Sequence, residues 1–209
     1  MSGRRLPALM AALLAALALA LAPVAAPLSR AEAAATGVDA PPPPAVRREL
    51  DRAQELLLVR LASLPEDSGV LILRDPERVM LRIPARLLFE FDSANLKEDP
   101  AAAAVLAASL QLLKKRRRLQ AQILVYTDSI GGATANQSLS EQRAQAVYAA
   151  LTAAGIAPNR LQHHGAGAAT AVASNETPQG RIENRRVEIE FRRAGSAAGE
   201  LKPAPAAAP

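Results

Sequence analysis

Residues 122–155 read QILVYTDSIGGATANQSLSEQRAQAVYAALTAAG, and this stretch contains one α/β unit. Gln122–Tyr126 is a short run of β-formers. The segment Thr127–Ala135 carries Gly131-Gly132 and is a loop. Ser138 and Glu141 have the spacing of a capping box, which predicts a helix from there to about Ala154. Ala144, Val147, Tyr148 and Leu151 form its inner face. Gly155 supplies the stop. A strand that leads through a Gly-containing loop into an amphipathic helix implies a sheet with helices against it.

The pattern repeats on both sides. Downstream, Arg160–His164 is a short strand and a Gly- and Asn-containing loop runs to Asn184. In Arg186–Arg192, Val187, Ile189 and Phe191 alternate with Glu188, Glu190 and Arg192, which predicts a strand with one buried and one wet face. Upstream, Gly69–Leu73 and Arg78–Ile83 flank Asp75-Pro76-Glu77 and read as a β-hairpin. Leu87–Phe91 reads as another strand. Asp99-Pro100 opens a helix, with Asp99 as N-cap and Pro100 where its missing N–H costs nothing. Ala102, Leu106, Leu110 and Leu113 form its predicted buried stripe, and Lys114–Arg118 end it. Val46, Leu50, Ala53, Leu57, Leu61 and Leu64 fall at helical spacing in a further amphipathic helix. The expected architecture is a two-layer α/β domain, a β-α-β-α-β mixed sheet with helices on one face. A helix (46–66) and the hairpin precede it, and the domain with its hairpin occupies 67–193.

The rest of the chain of 209 residues bounds this domain. Residues 1–33 read as an export signal. Arg4 and Arg5 precede the apolar run Leu9–Ala22, and Val24-Ala25-Ala26 and Ala31-Glu32-Ala33 are small-residue cleavage sites. The run is shorter than the roughly 20 residues of a membrane span, so cleavage is the expectation and an uncleaved anchor the alternative. Either route takes the remainder of the chain out of the cytoplasm. Residues 34–45, with four consecutive prolines, are a linker. Residues 194–209 are an Ala/Pro tail expected to be disordered. Half the residues are hydrophobic, but only three Phe and two Tyr are aromatic, so the core is built from small side chains. With no cysteine, a disulfide framework, a thiolate metal site, a cysteine nucleophile and a lipidated cysteine are excluded. The net charge of +5 permits an anionic partner without demanding one.

Several motifs carry a resemblance. Leu88-Phe89-Glu90-Phe91-Asp92-Ser93-Ala94 is followed one helix later by Thr127-Asp128-Ser129-Ile130-Gly131. Then come Asn136-Gln137-Ser138-Leu139-Ser140-Glu141-Gln142-Arg143-Ala144, Gly165-Ala166-Gly167, Ala173-Ser174-Asn175, Gly180-Arg181 and Asn184-Arg185-Arg186-Val187-Glu188-Ile189. In order and spacing this resembles the OmpA-like C-terminal domain over about 88–192. The resemblance implies a non-enzymatic module without cofactor that binds peptidoglycan through the diaminopimelate of the stem peptide. It also implies that Asp92, Thr127, Asp128, Asn136, Leu139, Arg143 and Arg185 are the binding residues. Where the family usually has Gly-His before Thr-Asp, this chain has Val125-Tyr126, a departure that bears on pocket geometry. An uncleaved N-terminus would make the chain resemble an inner-membrane anchor with a wall-gripping domain, as in flagellar stator subunits, with other envelope proteins as partners.

The residue chemistry is compatible with this ligand. The free end of diaminopimelate carries an ammonium and a carboxylate. Asp128 can accept from the first. Arg143, placed one turn into the predicted helix beside its N-terminus, can hold the second. Asp128 and Arg143 could equally form a structural ion pair, Asn136 could serve as a loop or cap residue, and Arg185 could cover the sheet edge. Arg186 should face the other way by strand alternation and is read as structural. The basic run Lys114–Arg118 lacks the aromatics or groove-entering motif of a nucleic-acid site. It reads as a solvated helix end, with attraction to anionic lipid or wall polymer as the alternative. Membrane contact otherwise belongs to the N-terminal segment. Adjacent His163 and His164 point to opposite faces and suit no shared metal. No G-x-S-x-G, H-E-x-x-H or P-loop is present. A carboxylate pair of Asp92 and Asp128 for glycoside cleavage is disfavoured by the neighbouring arginines.

Overall fold

The computed structural model describes residues 41–194. The expected export signal, most of the linker and the tail lie outside the described residues. Among the described residues no helix is long and apolar enough to cross a membrane.

Helix α1 (Pro44–Leu61) begins at the last of the four prolines, and Val46, Leu50, Ala53, Leu57 and Leu61 form its buried stripe; it ends five residues short of the expected 66, so Leu64 lies past it in a bend. Each fully buried leucine on it contributes roughly 1.5–3 kcal/mol. The hairpin is as expected: β1 (Leu71–Arg74) pairs antiparallel with β2 (Arg78–Pro84). Asp75 closes its turn by accepting from the N–H groups of Glu77 and Arg78. The segment read as a strand over 87–91 is instead a short helix α2 (Ala85–Leu88) and a turn pinned by a single bridge between Phe89 and Leu96. The first strand of the α/β repeat is therefore β2, not 87–91. Helix α3 (Pro100–Lys115) has Asp99 as N-cap, its carboxylate accepting from Ala101 N and Ala102 N. Its buried stripe is rotated from the expected one: Ala102 and Leu113 are buried, but Val105, Ala108, Ser109 and Leu112 replace Leu106 and Leu110.

Strand β3 (Leu119–Tyr126) leads into helix α4 (Ala133–Ala153). The helix starts at Ala133 after Gly132, five residues before the predicted capping box. The good helix formers Ala133, Ala135 and Gln137 help extend it backwards, so Ser138 lies inside the helix. Glu141, freed from capping, accepts from Gly165 N, and its other oxygen lies 3.0 Å from His163 Nδ1. Strand β4 (Leu161–Gly167) follows. A methyl at Gly165 would lie 2.1 Å from Glu141 N, so only glycine lets α4 lie this close to β4. The expected loop to Asn184 hides a helix, α5 (Pro178–Asn184), capped by Thr177. Strand β5 (Arg186–Arg193) completes a sheet of order β1-β2-β5-β3-β4, parallel only between β3 and β4.

The helix-covered face of β5 holds Val187, Ile189 and Phe191, all fully buried. The other face is not wet: Arg186, Glu188 and Glu190 are each 5% exposed or less. Arg82 Nε and Arg186 Nε donate to Glu188 at 3.0 and 2.9 Å. Arg78 and Arg192 close on Glu190. Long side chains on neighbouring strands bury each other's charges.

Candidate functional site

At the end of the sheet where β3 passes into α4, four segments surround a cleft of about 450 Å³. They are the turn after α2, the β3–α4 loop, the second and third turns of α4, and the α5–β5 junction. All seven expected residues, Asp92, Thr127, Asp128, Asn136, Leu139, Arg143 and Arg185, line it.

The β3–α4 loop is held by side chains that give their hydrogen bonds to backbone. Asn136 Nδ2 donates to Asp128 O and Ile130 O at 3.2 and 3.0 Å. Ser129 N donates to Asn175 Oδ1, and Asn175 is held in turn by the fully buried Asn184. Asn136 is thus a loop-holding residue whose Oδ1 is left as an acceptor.

Asp128 Oδ1 accepts from Ile130 N at 2.9 Å, and Oδ2 is paired with Arg185 Nη1. The structural pair weighed for Asp128 and Arg143 does not form; Asp128 takes Arg185, which reaches it from the start of β5. Arg143 sits nearly three turns into α4, not one, so it does not share the helix N-terminus with a ligand. Its Nε donates to Ser93 O at 2.7 Å, and its guanidinium carbon lies 5.1 Å from the centre of the Phe89 ring. Among the described residues it makes no ion pair within 4 Å, although the residue is only 6% exposed. Burial pushes its pKa down, Asp92 nearby opposes that, and Arg185 adds to it. The outcome is a cation held at a cost, with its two terminal nitrogens free of acceptors among the described residues. Thr127 Oγ1 is likewise buried without a hydrogen-bond partner.

Asp92 does not end a strand. It occupies the tip of the turn after α2 at φ 49°, a left-handed conformation that aspartate tolerates better than most residues. Leu139 lines the wall one helical turn before Arg143.

The sequence reading did not name Phe89, Phe91, Lys97, Ile130, Arg86 or Arg181 as binding residues, although four of them stand in its motifs; all six also line the cleft. Phe91 is 97% exposed and Ile130 65% exposed. Reading 87–91 as a strand concealed this segment, whereas the turn-forming run Asp92-Ser93-Ala94-Asn95 could have revealed it. The Val125-Tyr126 departure does not reach the cleft. Val125 is in the core, and Tyr126 lies on the opposite face under Arg186, whose guanidinium carbon is 3.7 Å from the ring centre. Arg186 is the structural residue expected, bonded to Glu188 and to Thr170 O. The cleft therefore combines an unpaired buried cation, carboxylates across from it, an unsatisfied hydroxyl and an apolar rim, which suits a small zwitterion.

A model described as the OmpA family matches residues 88–185. The chain is 38% identical over 122 residues to the probable lipoprotein YiaD of Escherichia coli, across 58% of this chain and 55% of that protein, and so spans about half of that relative's length. Over 64 residues, 31% of this chain and 20% of the other, it is 47% identical to the peptidoglycan-binding protein ArfA of Mycobacterium tuberculosis. Among solved structures, the cell wall anchor of the T6SS from Pseudomonas aeruginosa superposes with a TM-score of 0.57 at 27% identity, covering 66% of this chain and 96% of that one. Identity to outer membrane protein A of Bordetella avium is 35% over 137 residues, across 61% of this chain and 68% of that protein, and the chain belongs to the OmpA family.

Proposed function

We propose that this chain is a non-catalytic tether of the cell envelope that binds peptidoglycan non-covalently, taking the diaminopimelate of a stem peptide into the cleft. The observation that carries this reading is Arg143, a buried guanidinium without a carboxylate partner, opening onto a cleft lined by Asp128 and Asp92. The distal carboxylate takes the two free nitrogens of Arg143. The ammonium takes Asp128, whose oxygens each retain a free lone pair, with Asn136 Oδ1 and Asp92 alongside. Thr127 Oγ1 gains the hydrogen bond it lacks. Leu139, Phe91 and Ile130 line the apolar stem of the ligand. Arg185 pairs with Asp128 and aims its carboxylate into the cleft as an acceptor. ArfA and the T6SS anchor support the wall as partner by their names, and periplasmic residence follows from such a ligand.

Two or three charge-assisted hydrogen bonds of about 1.5–3 kcal/mol each, less the cost of association, correspond to roughly millimolar to micromolar affinity per site. The repeated copies on a wall polymer raise retention above that. The test is an NMR titration with a diaminopimelate-containing muramyl peptide, the lysine-containing peptide as control, and Arg143→Ala beside the wild type. Saturable shifts over 127–143 with the first peptide only, lost in the variant, are expected. Equal shifts with both peptides would refute the role of the distal carboxylate. No shift with either would refute wall binding by this cleft.

A further inference from the structure

A second concave site lies at the opposite end of the sheet. β3 separates the two, its first residue Leu119 following Arg118 and its last, Tyr126, preceding Thr127, a distance of about 30 Å. Arg48 and Arg52 of α1, Lys115 at the end of α3, and Arg116, Arg117 and Arg118 of the connection line a pocket of about 560 Å³. Its one acidic neighbour, Glu49, is engaged by Arg193 Nε at 3.2 Å. None of the six cations has a carboxylate partner among the described residues. Arg116 Nε is buried without any acceptor.

These cations are not needed to finish α3. Arg160 does that, with Nη2 donating to Leu113 O at 2.9 Å and Arg116 O at 3.0 Å, and Nε to Leu119 O at 3.0 Å. Burial, with Arg117 adding to it, pushes the Arg160 pKa down, as expected beside an excess of positive charge. Six cations gathered from three segments into one hollow, without counter-ions, constitute a site for anionic groups.

We infer that this basic pocket docks the domain onto a membrane surface by taking the phosphate headgroups of anionic phospholipid. Charge complementarity argues for phosphate-rich surfaces. With the N-terminal segment uncleaved, the alternative weighed from the sequence, the chain itself argues for a membrane: the apolar run Leu9–Ala22 lies upstream of α1, whose early turns carry Arg48 and Arg52. The intervening residues 23–43 reach at most about 75 Å. Where the run stays in a membrane, that membrane is within tether length of the pocket. This inference is independent of what fills the cleft.

The experiment measures partition of the full chain onto vesicles of phosphatidylcholine alone and of phosphatidylcholine with phosphatidylglycerol. Wild type is compared with Arg117→Gln/Arg118→Gln and with Arg47→Gln/Arg60→Gln, which removes the same charge at exposed positions that line neither the pocket nor the cleft. All three carry the same N-terminal segment, so its contribution cancels. Arg117 and Arg118 are exposed and unpaired, so their loss leaves folding unchanged. The expected result is about a 30-fold drop on the anionic vesicles for the pocket variant, a far smaller drop for the control, and no difference on the neutral vesicles. Equal losses in both variants would reduce the effect to net charge and overturn the site. Unchanged binding in the pocket variant would overturn it as well.

Discussion

Two regions of this domain are built from the same residue types and treat them oppositely. Across β2 and β5, Arg78, Arg82, Arg186 and Arg192 converge on Glu188 and Glu190, and each carboxylate meets two guanidinium groups. In the cleft, Arg143 is as buried as those glutamates yet makes one hydrogen bond, to a backbone carbonyl. Burial of a charge is costly unless it is paired. The ladder satisfies that condition within the fold, while the cleft leaves it to be satisfied from outside. Pairing state, not residue type or burial, separates structural charge from charge available to a ligand.

The largest effect is expected on the ladder. Glu188→Gln keeps the shape and leaves Arg82 and Arg186 without their carboxylate. The expected loss is about 3–5 kcal/mol of stability, read as a lower urea midpoint, with the affinity of the remaining folded protein unchanged. Arg143→Leu should do the reverse. Binding of the diaminopimelate peptide weakens by about 1.5–3 kcal/mol, roughly ten- to a hundredfold or more. Stability stays within about 1 kcal/mol of wild type, because the lost bond to Ser93 O is offset by removal of a desolvated charge. If calorimetry and denaturation gave the two variants the same profile, the contrast between the regions would be false.

The ladder also predicts a titration. Burial first, and Glu188 next, push the Tyr126 phenol up to about 12, against the favourable influence of Arg186. A Tyr148→Phe variant isolates this phenol, and its tyrosinate absorbance should rise with a midpoint near that value. The folded pKa lies above the unfolded value of about 10. The folded state therefore holds the proton more tightly, and the associated stability is complete below pH 10 and is lost as pH rises through 12. A midpoint near 10 in the folded protein would mean that this face of the sheet is open to water.

How far the sequence could be read depended on whether the controlling interaction was local. The hairpin turn at Asp75, the α1 stripe and the Asp99-Pro100 cap are set by residues within a few positions of one another, and all were legible. Alternation in β5 correctly separated its two faces, but whether the polar face is covered depends on Arg78 and Arg82, more than a hundred residues away. The capping box at Ser138 was locally plausible and lost to a helix that begins earlier, at Ala133, aided by Ala133 and Ala135. Helix α5 was missed although Thr177-Pro178 carries a cap and a helix-starting proline. In the cleft, the motif order singled out seven residues that the fold brings together. It could not tell that Asp128 would choose Arg185 over Arg143, since that choice is made by the antiparallel pairing of β3 and β5, which sets Tyr126 opposite Arg186.

The smallest expected effect concerns the rim. Phe91 is almost wholly exposed, so the fold gains little from its ring, and Phe91→Ala should change stability by less than about 0.5 kcal/mol. An aromatic ring kept in water beside a charged cleft can contribute only when something covers it. Covering one face against the ligand's apolar stem is worth about 1 kcal/mol, or roughly fivefold in Kd. The measurement is the same peptide titration, run with Phe91→Ala and Ile130→Ala singly and together. Losses that add would place the two side chains on separate parts of the ligand, and a double variant no worse than either single would place them on one shared contact. No loss in either would confine recognition to Arg143 and the carboxylates facing it, and the contrast with the ladder would then rest on a single unpaired guanidinium.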